Sequence, residues 1–264
     1  MTTHVDLDEL LDCAVTTAVR TGQFVREQWQ KPRQVRQKGF RDIVTDADVA
    51  AQKIITDGIL GRFPDHAFLT EEDDSSLPTQ GAMLWVIDPI DGTTNYSRQL
   101  PEFSISIAAV DSKQTIVVGV VYDPMRDELF RAAQGQGAWL NDRPLRVSQV
   151  AELSDGLFAL DWSRDKALRQ FVLDRLAAIA PQVFTIRAIG TAALAQAWIA
   201  AGRIDGYLNM SLSAWDVAAG SLLIREAGGQ VSDGRGQFLQ WQDTSNGILA
   251  SNGRIHRAIL GQSD

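Results

Sequence analysis

The chain has 264 residues, 45% of them hydrophobic, with 33 acidic against 25 basic side chains and a formal net charge of −8. That is enough apolar material for a large core, as one large domain or two closely packed ones. The acidic balance argues against general nucleic-acid binding, which asks for a basic face, and leaves room for a small phosphorylated substrate if metal ions neutralise the local charge.

Cys13 is the single cysteine. It excludes an internal disulfide framework and a thiolate metal site, agrees with a reducing compartment, and is expected to pack inside a helix. Met1–Asp6 lacks a basic segment followed by an apolar one, and no apolar run approaches the ~20 residues that span a bilayer. A soluble cytoplasmic protein without a membrane partner is expected.

In chain order, Leu7, Leu10, Leu11, Ala14, Val15, Ala18 and Val19 recur at helical spacing and predict a long amphipathic helix from Asp6 to about Trp29, ended by Lys31-Pro32. Gln34–Asp42, which carries Lys38-Gly39, reads as a polar, mobile stretch. Thr45-Asp46-Ala47-Asp48 resembles a capped helix start, with the helix running to about Phe63. Ala67-Phe68-Leu69 reads as a short strand that leads into the acids Glu71-Glu72-Asp73-Asp74. A solvated loop is the plain reading of such a run, yet its place at a strand end makes one of the glutamates a candidate metal ligand.

Leu84-Trp85-Val86-Ile87 reads as a buried strand that delivers Asp88. Pro89 is expected to stop its pairing, and Asp91-Gly92-Thr93-Thr94 to turn the chain into a helix. Phe103–Val110 and Thr115–Tyr122 predict an antiparallel pair, extended by Glu128–Arg131 and Gly137–Leu140. Beyond about Val150 strands and helices alternate, with strands at Gly156–Leu160, Val183–Arg187, Ile204–Leu208, Gln230–Ser232 and Gly247–Ala250. Helices are expected at Lys166–Ala178, Thr191–Ala201 and Asp216–Ala227. The division is thus an α+β half over 1–150 and an α/β half over 151–264, without a linker between them.

Asp48, Glu71, Asp88 with Asp91, and Asp216 all fall at element ends, where they supply the oxygen donors that Mg²⁺ prefers. Each has a plain alternative, Asp48 and Asp216 being well placed simply as helix caps. His4, His66 and His256 are isolated, which disfavours a zinc site or imidazole catalysis. Trp139, Trp162, Trp198 and Trp241 read as core or interface packing.

Two long motifs carry a family resemblance. Asp88-Pro89-Ile90-Asp91-Gly92-Thr93-Thr94-Asn95-Tyr96, and Trp215-Asp216-Val217-Ala218-Ala219-Gly220 followed by Glu226-Ala227-Gly228-Gly229, resemble the signatures of the inositol monophosphatase family of Mg²⁺-dependent, lithium-sensitive phosphatases. Ile43-Val44-Thr45 with Asp48, and Thr70-Glu71-Glu72, are similar to two shorter ones. The resemblance runs throughout the chain and implies a layered αβαβα sandwich of the inositol monophosphatase and fructose-1,6-bisphosphatase type, and a homodimer.

The same resemblance implies site roles. Glu71, Asp88, Asp91, Asp216 and the Ile90 carbonyl would hold two or three Mg²⁺ ions. Thr93, oriented by Asp48, would position and activate a water together with Glu71, and the amides of Asp91, Gly92 and Thr93 would receive the phosphate. Lys38 resembles the family's loop lysine. Gly190, Thr191 and Ala192, with Asn209 and Asp216, would meet the alcohol portion.

Asn209 is a departure, standing seven residues before Asp216 where the inositol enzymes carry a glutamate. The implied substrate is an inositol 1-phosphate-like polyol or sugar phosphate, with histidinol phosphate, fructose 1,6-bisphosphate and adenosine 3′,5′-bisphosphate as alternatives. A non-catalytic regulatory binding protein is the competing class. An aspartyl-phosphate mechanism is disfavoured because Asp88 and Asp91 stand one residue too far apart for Asp-x-Asp.

Overall fold

The structure is a computed structural model that describes residues 6–40, 42–163 and 165–261. His4 and the reading of residues 1–5 as free of a leader lie outside the described residues. Helix α1 (Leu7–Gln28) starts behind Asp6, whose side chain accepts the Asp8 amide at 3.0 Å. Strands β1 (Val35–Gly39) and β2 (Asp42–Thr45) pair antiparallel and lead into α2 (Asp46–Leu60). There follow β3 (Ala67–Thr70), β4 (Leu84–Asp91), the short helix α3 (Thr93–Ser97), β5 (Ser104–Val110) and β6 (Ile116–Asp123). A meander continues through β7 (Glu128–Ala133), β8 (Ala138–Leu140) and β9 (Arg143–Pro144).

The second half is β10 (Leu157–Leu160), α4 (Lys166–Ile179), β11 (Thr185–Arg187), α5 (Ala192–Ala200), β12 (Gly206–Asn209) and α6 (Ala214–Glu226). It closes with β13 (Gln230–Ser232), β14 (Ile248–Ser251) and α7 (His256–Ile259). β3 to β9 form a seven-stranded sheet in chain order, and the second, five-stranded sheet has the order β11-β10-β12-β14-β13.

Helices cover both faces of the larger sheet, so its central strands are buried throughout rather than alternating. Trp85, Ile87, Ile105, Ile107, Val118 and Val120 pack with Leu10, Cys13 and Ala18 of α1 and Ile55 and Ile59 of α2. Val86, Ala108, Val110 and Val121 face the other way, onto Ala193, Ala197, Val217 and Leu223 of α5 and α6. Those two helices also contact β12, β13 and β14 of the smaller sheet. On its far side Phe158, Leu160 and Leu208 meet Val172 and Ile179 of α4 and Ile259 of α7. The layers therefore run α1/α2, seven-stranded sheet, α5/α6, five-stranded sheet, α4/α7, the expected αβαβα sandwich.

The differences from expectation have simple causes. Gln34–Asp42 is largely a hairpin instead of irregular chain; every residue of β1 is exposed, so the strand leaves no alternation to read. α2 ends at Leu60, before Phe63. α6 starts at Ala214, ahead of Asp216, because Ser213 is its N-cap and Asp216 occupies the third helical position of a capping box. β4 continues past Pro89 to Asp91.

Gly119 sets how closely the middle layer approaches the large sheet. A Cβ there would sit 2.7 Å from the Ala219 carbonyl oxygen of α6. Gly119→Ala should therefore push α6 away and destabilise the fold by about 1–3 kcal/mol through overpacking. A lowered urea midpoint is expected; an unchanged midpoint would mean that the helix has slack here.

Candidate active site

The site begins with an irregularity in β4. Asp88 pairs with Ser106 and Asp91 with Ser104, so three steps on β4 match two on β5. In a regular strand, residues an odd number apart face opposite sides. The one extra residue at Pro89-Ile90 reverses the phase and brings both aspartates to the same side. Asp88 Oδ1 accepts the Ile90 amide at 3.0 Å, which closes this bulge on itself.

Helix starts supply the remaining supports. Asp91 lies against the first turn of α5, where it accepts the Ala193 amide at 2.8 Å, the Ala192 amide at 3.2 Å and the Thr191 hydroxyl. Asp216 accepts the Ser213 amide at 2.6 Å at the start of α6. Carboxylate oxygens of Asp88, Asp91 and Asp216 all lie within 4.8 Å of one another. Glu71, just past the end of β3, shares a hydrogen bond with Asp88. An all-oxygen, closely spaced and acidic donor set of this kind suits a hard divalent cation.

Asp48 approaches from α2 and is fully buried. One oxygen accepts the Thr45 amide at 2.8 Å as well as the Thr45 hydroxyl, and the other lies 3.1 Å from Thr93 Oγ1. Its capping role and its site role thus coexist, each using a different oxygen. Thr93 Oγ1 is also 3.1 Å from the Ile90 carbonyl, two acceptors competing for its single proton.

Lys38 reaches the acids from β1. It donates to Glu72 at 2.9 Å and lies 3.9 Å from Glu71. Glu72 is held in turn by Gln52, which accepts its amide at 3.1 Å and donates to its carbonyl at 2.8 Å.

Burial pushes these carboxyls upward. Asp48 rises to about 6 despite the opposing Thr45 bonds, and Glu71 to about 7 despite the Lys38 charge. Asp88 is pushed well above the usual range, first by burial and then by the charges of Glu71, Asp91 and Asp216. Asp91 is raised by burial, an effect partly offset by its bonds from Thr191, Ala193 and Ala192. Burial works against the Lys38 ammonium, but the Glu72 bond and neighbouring acids outweigh it and hold its pKa above the ordinary value.

These groups open into a cavity of about 350 Å³. Glu71, Asp88, Ile90, Asp91, Gly92, Thr93, Gly190, Thr191, Ala192, Asn209 and Asp216 all line it, while Asp48 and Lys38 reach it through Thr93 and the two glutamates. The polar groups of Thr191 and Ala192 are engaged by Asp91, so among the described contacts they orient a carboxylate. Gly92 needs its φ of 100°, and a Cβ on it would meet the Glu102 and Gly190 carbonyls at 3.1 and 3.3 Å. Asn95 ties this turn to the segments that lead into α5 and β5 by donating to the Ile189 carbonyl at 2.8 Å and to the Glu102 carbonyl at 2.7 Å.

Sequence reasoning missed Asp161, Trp162, Arg169 and Tyr207, which line the same cavity. Trp162, read as core or interface packing, is 43% exposed in this chain and lines the cavity. Asp161 directly follows β10 as Glu71 directly follows β3, so the strand-end signal that singled out Glu71 is present here too. Arg169, inside α4, carries no local signal at all.

The geometry agrees with comparisons to known proteins. A family model described as the inositol monophosphatase family matches residues 6–264. Nus factor SuhB of Salmonella typhimurium is 41% identical over 254 residues, spanning 95% of this chain and 94% of that protein. The crystal structure of extragenic suppressor protein suhB from Bartonella henselae is similar with a TM-score of 0.90 at 36% identity, over 96% of this chain and 97% of that one. A Thermotoga maritima IMPase has a TM-score of 0.88 at 34% identity, over 96% of each chain.

Crowded acids with raised pKa values cost stability once they ionise. The unfolded chain ionises Asp88 near 4, so metal-free protein should lose stability as pH rises from 5 to 8, and the loss should be smaller in Asp88→Asn. Thermal unfolding in chelator should show the variant gaining on the wild type as pH rises, by several degrees at pH 8. A gap independent of pH would mean that Asp88 is not under charge strain.

Proposed function

This chain belongs to the inositol monophosphatase family, and on that premise we propose that it is a Mg²⁺-dependent phosphomonoesterase acting on a small phosphorylated polyol or sugar. The observation that carries the reading is the Thr93–Asp48 contact at 3.1 Å beside the converging Asp88, Asp91 and Asp216. Glu71, Asp88, Asp91, Asp216 and the Ile90 carbonyl would hold the ions, two or three per site. Bound Mg²⁺ supplies neutralisation of phosphate charge and acidification of water.

The protein's own groups do the rest. Thr93 is far too weak a base to act unaided, and it is better cast as a relay that passes its proton toward Asp48 while accepting one from the attacking water. Asp48, with two bonds from Thr45 on its other oxygen, cannot turn away from Thr93. Its value of about 6 suits a proton acceptor near neutrality. Attack is direct and in line: the bond from the water oxygen to phosphorus forms, the P–O ester bond breaks, and the departing alkoxide takes a proton from solvent to leave as the alcohol, without a covalent enzyme intermediate. The amides of Asp91, Gly92 and Thr93 receive the phosphate, in a turn whose positive φ at Gly92 presents them. No helix among the described residues is long and apolar enough to cross a membrane. A cytoplasmic homodimer with no nucleic-acid partner completes the proposal.

The name of the Salmonella relative, Nus factor, favours a second reading in which the chain also serves as a regulatory binding protein. Turnover remains the preferred reading because the five expected side chains Asp48, Glu71, Asp88, Asp91 and Asp216 are joined here by Thr93. Phosphate release from small phosphomonoesters is expected to need Mg²⁺ and to be suppressed by Li⁺. Asp91→Asn should lower kcat/KM at least about 100-fold, the loss of roughly 3 kcal/mol of transition-state stabilisation. Release that persists undiminished in chelator, or in this variant, would rule the proposal out; Mg²⁺ binding without release from any substrate would favour the binding protein.

A further inference from the structure

Asn209 is locked in one orientation from both sides. Asp161 accepts the Ile189 and Gly190 amides at 3.0 and 2.7 Å on one oxygen and the Tyr207 hydroxyl at 3.0 Å on the other. A phenol has one proton, and Tyr207 spends it on Asp161. Its 3.0 Å contact with Asn209 therefore has the Asn209 amide donating. The Ser211 amide, which can only donate, lies 3.0 Å from the Asn209 oxygen. The two contacts set the side-chain amide without ambiguity, and the proton-bearing group left over is its second N–H.

Arg169 stands on the same wall. Its Nε donates to the Ser163 carbonyl at 3.2 Å and its guanidinium lies 5.9 Å over the Trp162 ring. Among the described residues it is the one Lys or Arg lining the cavity, and no carboxylate pairs with it. Glu71, Asp88, Asp91, Asp161 and Asp216 line the cavity as well. A guanidinium with free N–H groups matches a phosphate or carboxylate, and the half-exposed indole beside it offers a face to a ring.

We propose that the alcohol portion of the substrate carries a second anionic group, read by Arg169 and by the N–H of Asn209, with Trp162 against the ring that bears it. The proposal rests on the phosphomonoesterase reading and narrows its substrate class. An acceptor-only carboxylate in place of Asn209 asks the substrate for hydroxyl protons, whereas Asn209 held by Tyr207 offers a proton instead. Asp161 and Tyr207 are positioning residues that set this polarity from behind.

The test compares matched pairs with Mg²⁺: fructose 1,6-bisphosphate against fructose 1-phosphate, and adenosine 3′,5′-bisphosphate against adenosine 3′-phosphate, with inositol 1-phosphate as the neutral polyol. In at least one pair the doubly phosphorylated member should lead by tenfold or more in kcat/KM, mainly through KM, and should exceed inositol 1-phosphate. Arg169→Gln should reduce that ratio at least tenfold, and Tyr207→Phe, which frees Asn209 to turn, should reduce it severalfold with folding intact by circular dichroism. Equal or better use of the singly phosphorylated members, or a ratio untouched by Arg169→Gln, overturns the proposal. If no compound is hydrolysed, the phosphatase reading fails instead, and calorimetric titration of the same pairs decides this one. Tighter binding of a bisphosphate that Arg169→Gln abolishes supports it, and equal binding of both members refutes it.

Discussion

The structure depends on bringing like charges together where they resist it most. Glu71, Asp88 with Asp91, and Asp216 come from three separate parts of the chain and meet with little water to screen them. Two of them are tolerated because helix starts present unpaired N–H groups, α5 to Asp91 and α6 to Asp216. Gln196 ties those two helices, donating to the Ala192 carbonyl at 3.0 Å and to the Asp216 carbonyl at 2.8 Å. The other two share a proton-bearing hydrogen bond and sit high in pKa. The layers serve this meeting point: the large sheet carries Asp88 and Asp91, the middle layer carries their supports, and Gly119 lets the two approach.

Much of this was legible in the sequence where local chemistry decides geometry. The apolar run before Asp88, the turn glycine at Gly92 and the cap at Thr45 each produce their structure within a few residues. The carboxylate set itself came from motif resemblance, since Asp48 and Asp216 taken alone are indistinguishable from ordinary helix caps, and they are indeed caps. What was hidden belongs to longer range. The β1–β2 hairpin has no buried face to mark it. The phase reversal at Pro89-Ile90 is visible only against the register of β5. Arg169, on α4, reaches the cavity through packing between layers, and nothing in its neighbours announces that.

The substrate side follows a similar division. The reacting end of the cavity is built from rigid elements, strand ends and first helical turns, which suits chemistry that tolerates little misplacement. The far wall is built from Asp161, Tyr207 and Asn209 in a chain of bonds that sets which side of an amide faces outward. A relative with a glutamate at the Asn209 position would present the opposite polarity from an otherwise similar scaffold. Members of one family can thus share the bond they break while differing in whose phosphate they accept.

The most direct test of the convergent carboxylate centre is equilibrium binding of Mn²⁺, followed by the loss of the free-ion signal in electron paramagnetic resonance. The wild-type protein should bind the ion saturably, and Asp216→Asn, which keeps the helix cap but removes one charged donor, should weaken the affinity at least tenfold. Identical titrations for the two proteins would contradict a metal centre built on Asp88, Asp91 and Asp216.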